Sequence, residues 1–209
     1  MFQIRHAQPD DVRLMADVEI ASWPSALAAS PEILESRLAA FPEGQLVAEL
    51  NGRIIGTAYA QRIRSRVLAT EQLTYDTVTD RGTLARSHDE DGDVYQLVGV
   101  GVATAGQGIG AGRLLVDRQI ELARTLKGVR RIVGFTRPVR FHRHTHISIE
   151  EYVTLRSDSG RLMDPVLAFH LDSGASLVSI HSAFRPEDRE SGGFGVLIEY
   201  PVDAVAFAS

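Results

Sequence analysis

The segment LVGVGVATAGQGIGAGRLL, residues 97–115, joins a β-rich run to a helical pattern through a loop of glycines. The strand part extends back over residues 93–102, and apolar residues recur at helical spacing over residues 113–126. Backbone N–H groups at the start of a helix, aided by the helix dipole, favour an anion, and Gly108 and Gly110 permit its close approach. The order strand, glycine loop, helix therefore predicts a pyrophosphate cradle, although such loops also occur as plain turns.

The glycine loop is nearly identical in sequence to the GxGxxG fingerprint of dinucleotide-binding proteins, and its position in the chain distinguishes the two. A Rossmann loop follows the first strand of a βαβ unit. Here the loop lies in mid-chain, after strand-like runs at residues 44–50 and 53–63. Those runs flank Asn51 and Gly52, the strongest short signal for a hairpin turn. This antiparallel context disfavours NAD and leaves the pyrophosphate interpretation in place.

The remaining patterns predict an α/β chain of mixed strands and helices. Further strands are expected at residues 2–7, 130–136, 175–183 and 195–202, and helices at residues 9–22, 31–40 and 165–173. Residues 64–92 are polar and weakly patterned. DEDGD near their end lacks the full spacing of a calcium loop, so we interpret it as a solvated turn without an assigned function. Residues 137–163 are expected to form an inserted loop with a short helix at SIEEYVTLR, residues 148–156.

Composition indicates an ordinary globular chain in which residues 1–209 form one domain, since 44% of the residues are hydrophobic and 23% are charged. No apolar run approaches the roughly 18 residues of a membrane helix, and the first residues lack the pattern of a signal peptide. We therefore expect a cytoplasmic protein without a membrane partner. The chain has no cysteine, which excludes disulfides, thiolate zinc sites and a cysteine nucleophile.

Charge is unevenly distributed along the chain. The net charge of −5 argues against nucleic acid as a partner. Residues 113–143 nevertheless contain eight arginines and Lys127 against Asp117 and Glu121, nine positive against two negative charges, or a local charge of +7. This stretch is either a docking surface for an anionic partner or a solvated helix face with loops.

The segment 97–115 resembles the acyl-CoA-binding motif of GNAT acetyltransferases, and the order of elements along nearly the whole chain is similar to theirs. The resemblance implies a GNAT fold, with a central, mixed, mostly antiparallel twisted sheet flanked by helices. It implies that Val100 and Val102 bind the pantetheine arm of coenzyme A. The implied pyrophosphate-binding residues are Gly106, Gln107, Gly108, Ile109, Gly110 and Ala111. Ala105 stands where the family usually has Arg or Gln, so a side-chain contact to phosphate is missing.

Several motifs, taken in order, resemble the GNAT-like loading domains of modular polyketide synthases. They are SWPSALAAS, FPEGQLV, AYAQRI, EEYV, DPVLAFH, FRPED and GFGVLIEY. Those domains are understood to decarboxylate malonyl or methylmalonyl thioesters, and some also pass the acyl group to an acyl carrier protein. The resemblance implies a coenzyme A or phosphopantetheine thioester as substrate, an acyl carrier protein or a small acyl-CoA as partner, and no metal. The implied catalytic residues are Trp23, Thr136, His170 and Arg185.

His170 sets this branch apart. Ordinary family members have a motif similar to FYEKLGF, whose tyrosine protonates the departing thiolate. The corresponding segment here is FHLDSGA, in which His170 takes the position of that tyrosine. A histidine with its ordinary pKa of about 6.5 exchanges a proton at neutral pH far more readily than tyrosine. Loss of CO2 leaves negative charge on the thioester oxygen, and we expect His170 and Thr136 to donate hydrogen bonds to it. Trp23 is expected to form a rigid wall, and Arg185 to position the incoming group.

Each of these residues also has a purely structural interpretation. A histidine on an apolar helix is often a hydrogen-bonded part of the core, and threonine is common in strands. Trp23 before Pro24 fits core packing, and Arg185 can pair with Glu187 or Asp188.

Three alternating histidines, His142, His144 and His146, occur in FHRHTH. On an extended segment their imidazoles would share one face, as in a metal site. No carboxylate or fourth ligand is placed nearby, and Arg140 and Arg143 would repel a cation. Contact with phosphate or a carrier protein suits these histidines better.

Three functions compete. The leading hypothesis is decarboxylation of a malonyl-type thioester in polyketide initiation, with or without acyl transfer to a carrier protein. The alternative is an acetyl-CoA-dependent N-acetyltransferase of a small amine, which needs an acidic acceptor pocket and a route for the ammonium proton. A non-catalytic acyl-CoA or carrier-protein binding module is the third, since Ala105 and the basic stretch are compatible with binding alone.

Overall fold

Seven strands form one mixed sheet in the computed structural model, which describes residues 2–203. The strands are β1 Phe2–His6, β2 Gln45–Leu50, β3 Arg53–Ile63, β4 Val94–Val102, β5 Arg131–Thr136, β6 Ser176–His181 and β7 Gly195–Tyr200. Their order across the sheet is β1-β2-β3-β4-β5-β7-β6. Neighbouring strands run antiparallel except β4 and β5, which are parallel. The ends of the proposed domain, residue 1 and residues 204–209, lie outside the described residues.

Helices flank this sheet. They are α1 Val12–Ser22, α2 Pro31–Ala40, α3 Tyr75–Thr79, α4 Ala111–Thr125, α5 Ile149–Tyr152 and α6 Pro165–Asp172. The expected mixed, mostly antiparallel sheet with flanking helices is confirmed. Over residues 2–203, no helix combines the length and the apolar character needed to cross a membrane.

Side-chain alternation along β2 distributes the core over both faces of the sheet. Val47 packs with Met15 of α1 and Leu34 of α2 on one face. Leu46 packs with Leu115 of α4 on the other face. Helix α4 therefore lies on the opposite side of the sheet from α1 and α2.

The hairpin predicted at Asn51 and Gly52 is confirmed. These residues have φ angles of 50° and 79°, and two positive φ angles are what a type I′ turn requires. The flanking strands β2 and β3 pair antiparallel on either side of the turn.

The parallel pairing of β4 with β5 is short. Residues 94–97 of β4 pair with residues 131–134 of β5, although β4 continues to Val102 and β5 to Thr136. At the same level, Val98 bulges from the ladder that joins β4 to β3, and a bulge bends its strand. The carboxyl ends of β4 and β5 therefore separate and leave a gap in the sheet.

Residues 64–92 contain more regular structure than their weak sequence patterning indicates. They contain a 3-10 helix, Ser65–Ala69, and the short helix α3. Val78 and Leu84 in this segment are fully buried. Helices of five residues are too short to show the hydrophobic periodicity that identifies longer ones.

The three histidines of FHRHTH do not lie on an extended segment, so the condition for a shared face is not met. Phe141–Arg143 form a 3-10 turn, and the turn is held by the Phe141 ring, whose centroid lies 5.4 Å from that of Tyr152 and 5.5 Å from that of Phe194. In the part of the chain that the structure describes, no group of three or more His, Cys, Asp or Glu side chains is placed to hold a metal ion.

Asp164 connects the inserted segment to α6. Its buried carboxylate accepts the N–H groups of Val166 and Leu167 in the first turn of α6, each at 3.0 Å. It also accepts the N–H of Arg140 at 3.0 Å and the hydroxyl of Tyr152 at 2.9 Å. One carboxylate thus fixes both the start of the helix and the loop beside it.

We expect Asp164→Ala to lower the free energy of unfolding by about 2–4 kcal/mol, because four donors lose a charged acceptor. Chemical denaturation measures this loss. The control Asp172→Asn breaks only an exposed ion pair with Arg161 and is expected to cost less than about 0.5 kcal/mol. Equal losses in the two variants would contradict the anchoring role of Asp164.

Candidate active site

A cavity of about 450 Å³ occupies the gap between β4 and β5. Its walls come from residues 97–102 of β4, residues 134–137 at the end of β5, the end of α1 and the last turn of α6. Because the two strands separate here, side chains from both faces of the sheet reach the same space.

The free edge of β4 faces this cavity. Ala103 donates its N–H to the carbonyl of Ile55 on the β3 side at 2.9 Å. Backbone groups alternate in direction along a strand, so those of Val100 and Val102 point to the opposite edge. There the side-chain amide of Gln107 lies 3.4 Å from the Val102 carbonyl oxygen. An extended ligand with amide groups can therefore pair with β4 in the place of a further strand.

The glycine loop follows directly and leads into α4. Gly108 and Gly110 have φ angles of 78° and 82°, a left-handed conformation that favours glycine. The N–H groups of Gly106 and Gln107 donate to carbonyls of the preceding turn at 2.8 and 3.2 Å. N–H groups in the first turn of α4, from Ala111 onward, have no acceptor within the helix. Among the amides predicted to bind pyrophosphate, those of Gly106 and Gln107 are therefore already used, and those closer to α4 remain available to bind an anion.

His170 lies in the last turn of α6 and lines the cavity. Its Nδ1 lies 2.6 Å from the hydroxyl oxygen of Tyr200 on β7. Burial lowers the pKa of His170 to about 4 and raises the pKa of Tyr200 above its usual range. Both groups are neutral at pH 7, and we assign the donor role to the Tyr200 hydroxyl, which places the ring proton of His170 on Nε2. The expectation that His170 titrates with its ordinary pKa is wrong, and the ring is a neutral hydrogen-bond donor.

Each of the other three predicted catalytic residues has a buried polar atom without a hydrogen bond. Within residues 2–203, Thr136 Oγ1, Trp23 Nε1 and Arg185 Nε are buried and have no hydrogen-bond partner. A buried polar atom without a partner costs about 1–3 kcal/mol and requires an explanation in a folded protein. Thr136 and Trp23 both line the cavity, so their free donors are placed to bind a ligand there.

Arg185 lies beside the cavity and not in its wall. It lines a small adjoining recess that shares Trp23 and Thr136 with the cavity. Its guanidinium lies 4.0 Å from the centroid of the Tyr75 ring, and its Nε lies 3.4 Å from a carboxylate oxygen of Glu187. These contacts fix the side chain next to the site.

Asp188, the other carboxylate expected to pair with Arg185, binds Arg137 instead. Two hydrogen bonds of 2.6 and 2.7 Å join them, and a third of 2.9 Å joins Arg137 to Glu190. The guanidinium carbon of Arg137 also lies 5.6 Å from the centroid of the Trp23 ring. Arg137 lines the cavity with its charge already compensated.

The model of the Acetyltransferase (GNAT) family matches residues 12–145, more than half of the chain. "Uncharacterized N-acetyltransferase YkwB" from Bacillus subtilis (strain 168) is 33% identical over 179 residues, which cover 85% of this chain and 77% of that relative. The chain belongs to the GNAT family.

Two solved GNAT structures are similar over almost their full lengths. The loading GNATL domain of CurA from Lyngbya majuscula has a TM-score of 0.86 and 28% identity, covering 97% of this chain and 98% of that domain. The GphF GNAT-like decarboxylase in complex with isobutyryl-CoA has a TM-score of 0.82 and 33% identity, covering 96% of this chain and 100% of that protein. The predicted relation to GNAT-like loading domains is confirmed.

Arg137 and Tyr200 are cavity residues of this GNAT protein that the sequence motifs do not single out. Arg137 directly follows Thr136, and this adjacency is a usable signal because both lie where β5 ends. Tyr200 shares one face of β7 with Ile198, which also lines the cavity. The partner of Arg137, Asp188, has no such local signal, because 51 residues separate the two in sequence.

The basic segment 113–143 of this GNAT protein is partly compensated by carboxylates. Its four paired arginines are Arg113 with Asp117, Arg118 with Glu121, Arg131 with Glu199 and Arg137 with Asp188. Half of the eight arginines thus have carboxylate partners, and the segment is not a continuous field of free positive charge.

We expect the His170 ring to remain neutral from about pH 8 down to about pH 5, and to titrate near pH 4, because burial lowers its pKa. Nitrogen NMR of labelled histidine checks this against the unfolded chain, whose histidines titrate near 6.5. Since the folded pKa is the lower one, His170 costs stability as the pH falls from about 6.5 to 4, by up to about 1.4 kcal/mol per pH unit. A folded midpoint near 6.5 would contradict the assignment.

Proposed function

We propose that this chain removes CO2 from malonyl or methylmalonyl thioesters of coenzyme A or phosphopantetheine, and so produces the acetyl or propionyl thioester that starts a polyketide chain. The observation that carries the proposal is the convergence of His170, Thr136 and Trp23 on one cavity beside the free edge of β4. Thr136 and Trp23 bring buried polar groups without protein partners, as expected of groups preorganised for a reacting ligand. Similarity to the GphF GNAT-like decarboxylase supports the same activity.

The thioester arm binds along β4 in this proposal. Backbone groups of Val100 and Val102 pair with the amides of pantetheine, and the loop from Gly108 to Ala111 holds the pyrophosphate of coenzyme A at the positive end of α4. The side chain of Ala105 makes no charged contact with the pyrophosphate, so the contact is made by backbone N–H groups. The presence of isobutyryl-CoA in the GphF complex supports a coenzyme A thioester as ligand.

Two donors stabilise the reacting oxygen. When CO2 leaves a malonyl thioester, the electron pair of the broken C–C bond forms an enolate whose negative charge lies mainly on the thioester oxygen. His170 donates from Nε2 and Thr136 donates from its hydroxyl to this oxygen. Each well-placed donor contributes about 3–4 kcal/mol to the lowering of the barrier. A neutral His170 suits this role, because it holds the oxygen without titrating in the working range of pH.

The departing carboxylate has to stand perpendicular to the thioester plane without being bound tightly. Trp23 forms the rigid wall that sets this orientation. A free arginine at this place would stabilise the carboxylate in the ground state and slow its loss. Arg137 avoids this effect, because Asp188 and Glu190 already compensate its charge. Arg185 acts as a positioning residue from the adjoining recess.

An acyl carrier protein is the proposed macromolecular partner, supported by similarity to the loading GNATL domain of CurA. Its phosphopantetheine arm follows the same edge of β4 as the arm of coenzyme A. Because the chain has no cysteine, any acyl transfer to the carrier thiol proceeds without an acyl-cysteine intermediate.

N-acetylation of a small amine is the second candidate, favoured by the 33% identity to the relative named as an N-acetyltransferase. That reaction needs a base for the ammonium proton and an acid for the departing thiolate. His170 stands where ordinary family members have the acidic tyrosine, and its lowered pKa leaves it neutral. The site therefore supports decarboxylation better.

Incubation with malonyl-CoA, methylmalonyl-CoA and the matching carrier-protein thioesters, followed by mass spectrometry, tests the proposal. We expect CO2 loss by the native chain. His170→Ala and Thr136→Val each remove one donor to the transition state, so each is expected to lower kcat by about 10²–10³-fold with little change in KM.

Thr125→Val is the matched control, because it removes a threonine hydroxyl outside the cavity wall, at the end of α4. We expect it to retain the native rate. Acetyl-CoA turnover with an amine panel, in the absence of CO2 loss from malonyl thioesters, would replace the proposal by N-acetylation. Tight binding of all thioesters without turnover would support a binding module instead.

A further inference from the structure

The small recess beside the cavity begins at Trp23 and Thr136. Its volume is about 30 Å³, which is room for one group of the size of a water molecule or a methyl group. The recess and the cavity share five wall residues, namely Trp23, Val98, Phe135, Thr136 and Arg137. A substrate held at Thr136 can therefore direct one small substituent into the recess.

The recess lies on the opposite face of the sheet from His170. Its wall residue Val98 packs against the buried cluster that contains Met15 of α1. His170 belongs to α6, whose Phe169 ring lies 3.7 Å from a Cβ position at Gly112 of α4, and α4 covers the other face. When His170 holds the thioester oxygen from the α4 face, the α carbon can present a substituent to the recess on the α1 face.

Phenylalanine rings form the far wall of the recess. Phe135 and Phe184 are stacked with their ring centroids 4.3 Å apart, and Phe194 adds a third ring. Gly195 lies behind them, and a Cβ atom there would overlap the Phe184 ring. Because protein interiors are closely packed, these rings have little freedom to move, and the recess has a fixed size.

Charged residues in the wall of the recess already have partners. Arg137 makes two hydrogen bonds to Asp188. Arg185 donates to the Leu27 carbonyl at 2.9 Å, and its Nε lies 3.4 Å from a carboxylate oxygen of Glu187. A substrate carboxylate in the recess would meet Asp188 as well as the two guanidinium groups. The recess therefore does not favour an anion.

A water molecule is also poorly held in the recess, because buried water needs two to four polar partners. Among the described residues of its wall, Thr136, Arg185 and Trp23 each have one buried polar atom without a partner. The indole N–H of Trp23 points elsewhere, since it lies 3.1 Å from a Cβ position at Gly101, which lines the cavity and not the recess. Thr136 binds the thioester oxygen in the proposed reaction. One partner then remains for a water molecule.

We propose that the recess binds the α-methyl group of a methylmalonyl thioester, so that the chain forms a propionyl starter in preference to an acetyl starter. This inference rests on the proposed function and names its substrate. A methyl group fills the recess and gains the free energy of burial, whereas a malonyl thioester leaves the recess empty. An ethyl group is too large, because overpacking would force the rings apart.

Selectivity between the substrates is the quantity to measure. One methylene more or less in an apolar pocket changes the ratio of kcat/KM values by about 10–200-fold. The thioesters also differ in intrinsic reactivity, but that difference is the same for every variant. A change in the ratio between variants therefore reports the recess alone.

The experiment measures kcat/KM for CO2 release from malonyl-CoA, racemic methylmalonyl-CoA and ethylmalonyl-CoA. We expect the native chain to have its highest kcat/KM with methylmalonyl-CoA. Val98→Ile narrows the recess by one methylene and should lower the ratio of methylmalonyl-CoA to malonyl-CoA about tenfold or more. Phe194→Leu widens the recess at a residue outside the cavity wall. It should raise the ratio of ethylmalonyl-CoA to methylmalonyl-CoA about tenfold or more.

Val178→Ile on β6 and Phe2→Leu on β1 are the matched controls, because they make comparable changes outside both walls. Both should retain the native ratios. Unchanged ratios in Val98→Ile and Phe194→Leu would overturn the inference, since a water molecule or a carboxylate in the recess would affect the three substrates alike. A native preference for malonyl-CoA would overturn it as well.

Failure of the proposed function has a different result, because the native chain would then release CO2 from none of the three thioesters. Thermal unfolding of each variant confirms folding. Val98→Ile and Phe194→Leu change different walls of the recess, so either one decides the question if the other does not fold.

Discussion

Every part of the site depends on the separation of β4 from β5 after Leu97 and Gly134. If their ladder continued to Val102, the outward backbone groups of β4 would be paired within the sheet, and no edge would remain for a ligand. The separation does not leave β5 unsupported, because its other edge pairs with β7 as far as Thr136. The gap therefore opens inside a sheet that remains hydrogen-bonded on both sides of it.

Helix ends converge on this gap and bring groups that the sheet does not satisfy. Trp23 follows the last residue of α1, the first turn of α4 presents N–H groups, and His170 lies in the last turn of α6. Buried donors without partners each oppose folding by about 1–3 kcal/mol. They are tolerated because core packing on both faces of the sheet offsets them, and because a ligand that binds them recovers the cost. The unsatisfied atoms of Thr136 and Trp23 are thus better explained by ligand binding than by packing.

Local signals predict the fold well and the site only in part. The Asn51 and Gly52 turn, the glycine loop and the strand-to-helix transition at Ala111 are each encoded within a few residues, so the sequence predicts them. The ion pair of Arg137 with Asp188 joins residues 51 positions apart, and no periodicity reveals it. The pKa of His170 likewise depends on burial produced by the tertiary fold. Motifs therefore identify Trp23, Thr136 and His170 at the gap. The presence of Arg137 and Tyr200 there, and the charges and hydrogen-bond states of the site, follow only from the packing.

The charge arrangement favours the loss of a carboxylate over the capture of one. Arg137 is compensated by two carboxylates, His170 is neutral, and Thr136 and Trp23 add an uncharged hydroxyl and an uncharged indole N–H without partners among the described residues. A malonyl carboxylate bound here would lose its hydration without gaining a counter-ion. This raises the free energy of the bound substrate more than that of the enolate, whose charge is more delocalised. The donors to the enolate oxygen, in contrast, are fixed before the substrate arrives and need no reorganisation. An N-acetyltransferase would need the reverse arrangement, with an uncompensated carboxylate facing the amine. The compensated arginine is therefore compatible with the proposed decarboxylation, because it does not hold the carboxylate in the ground state.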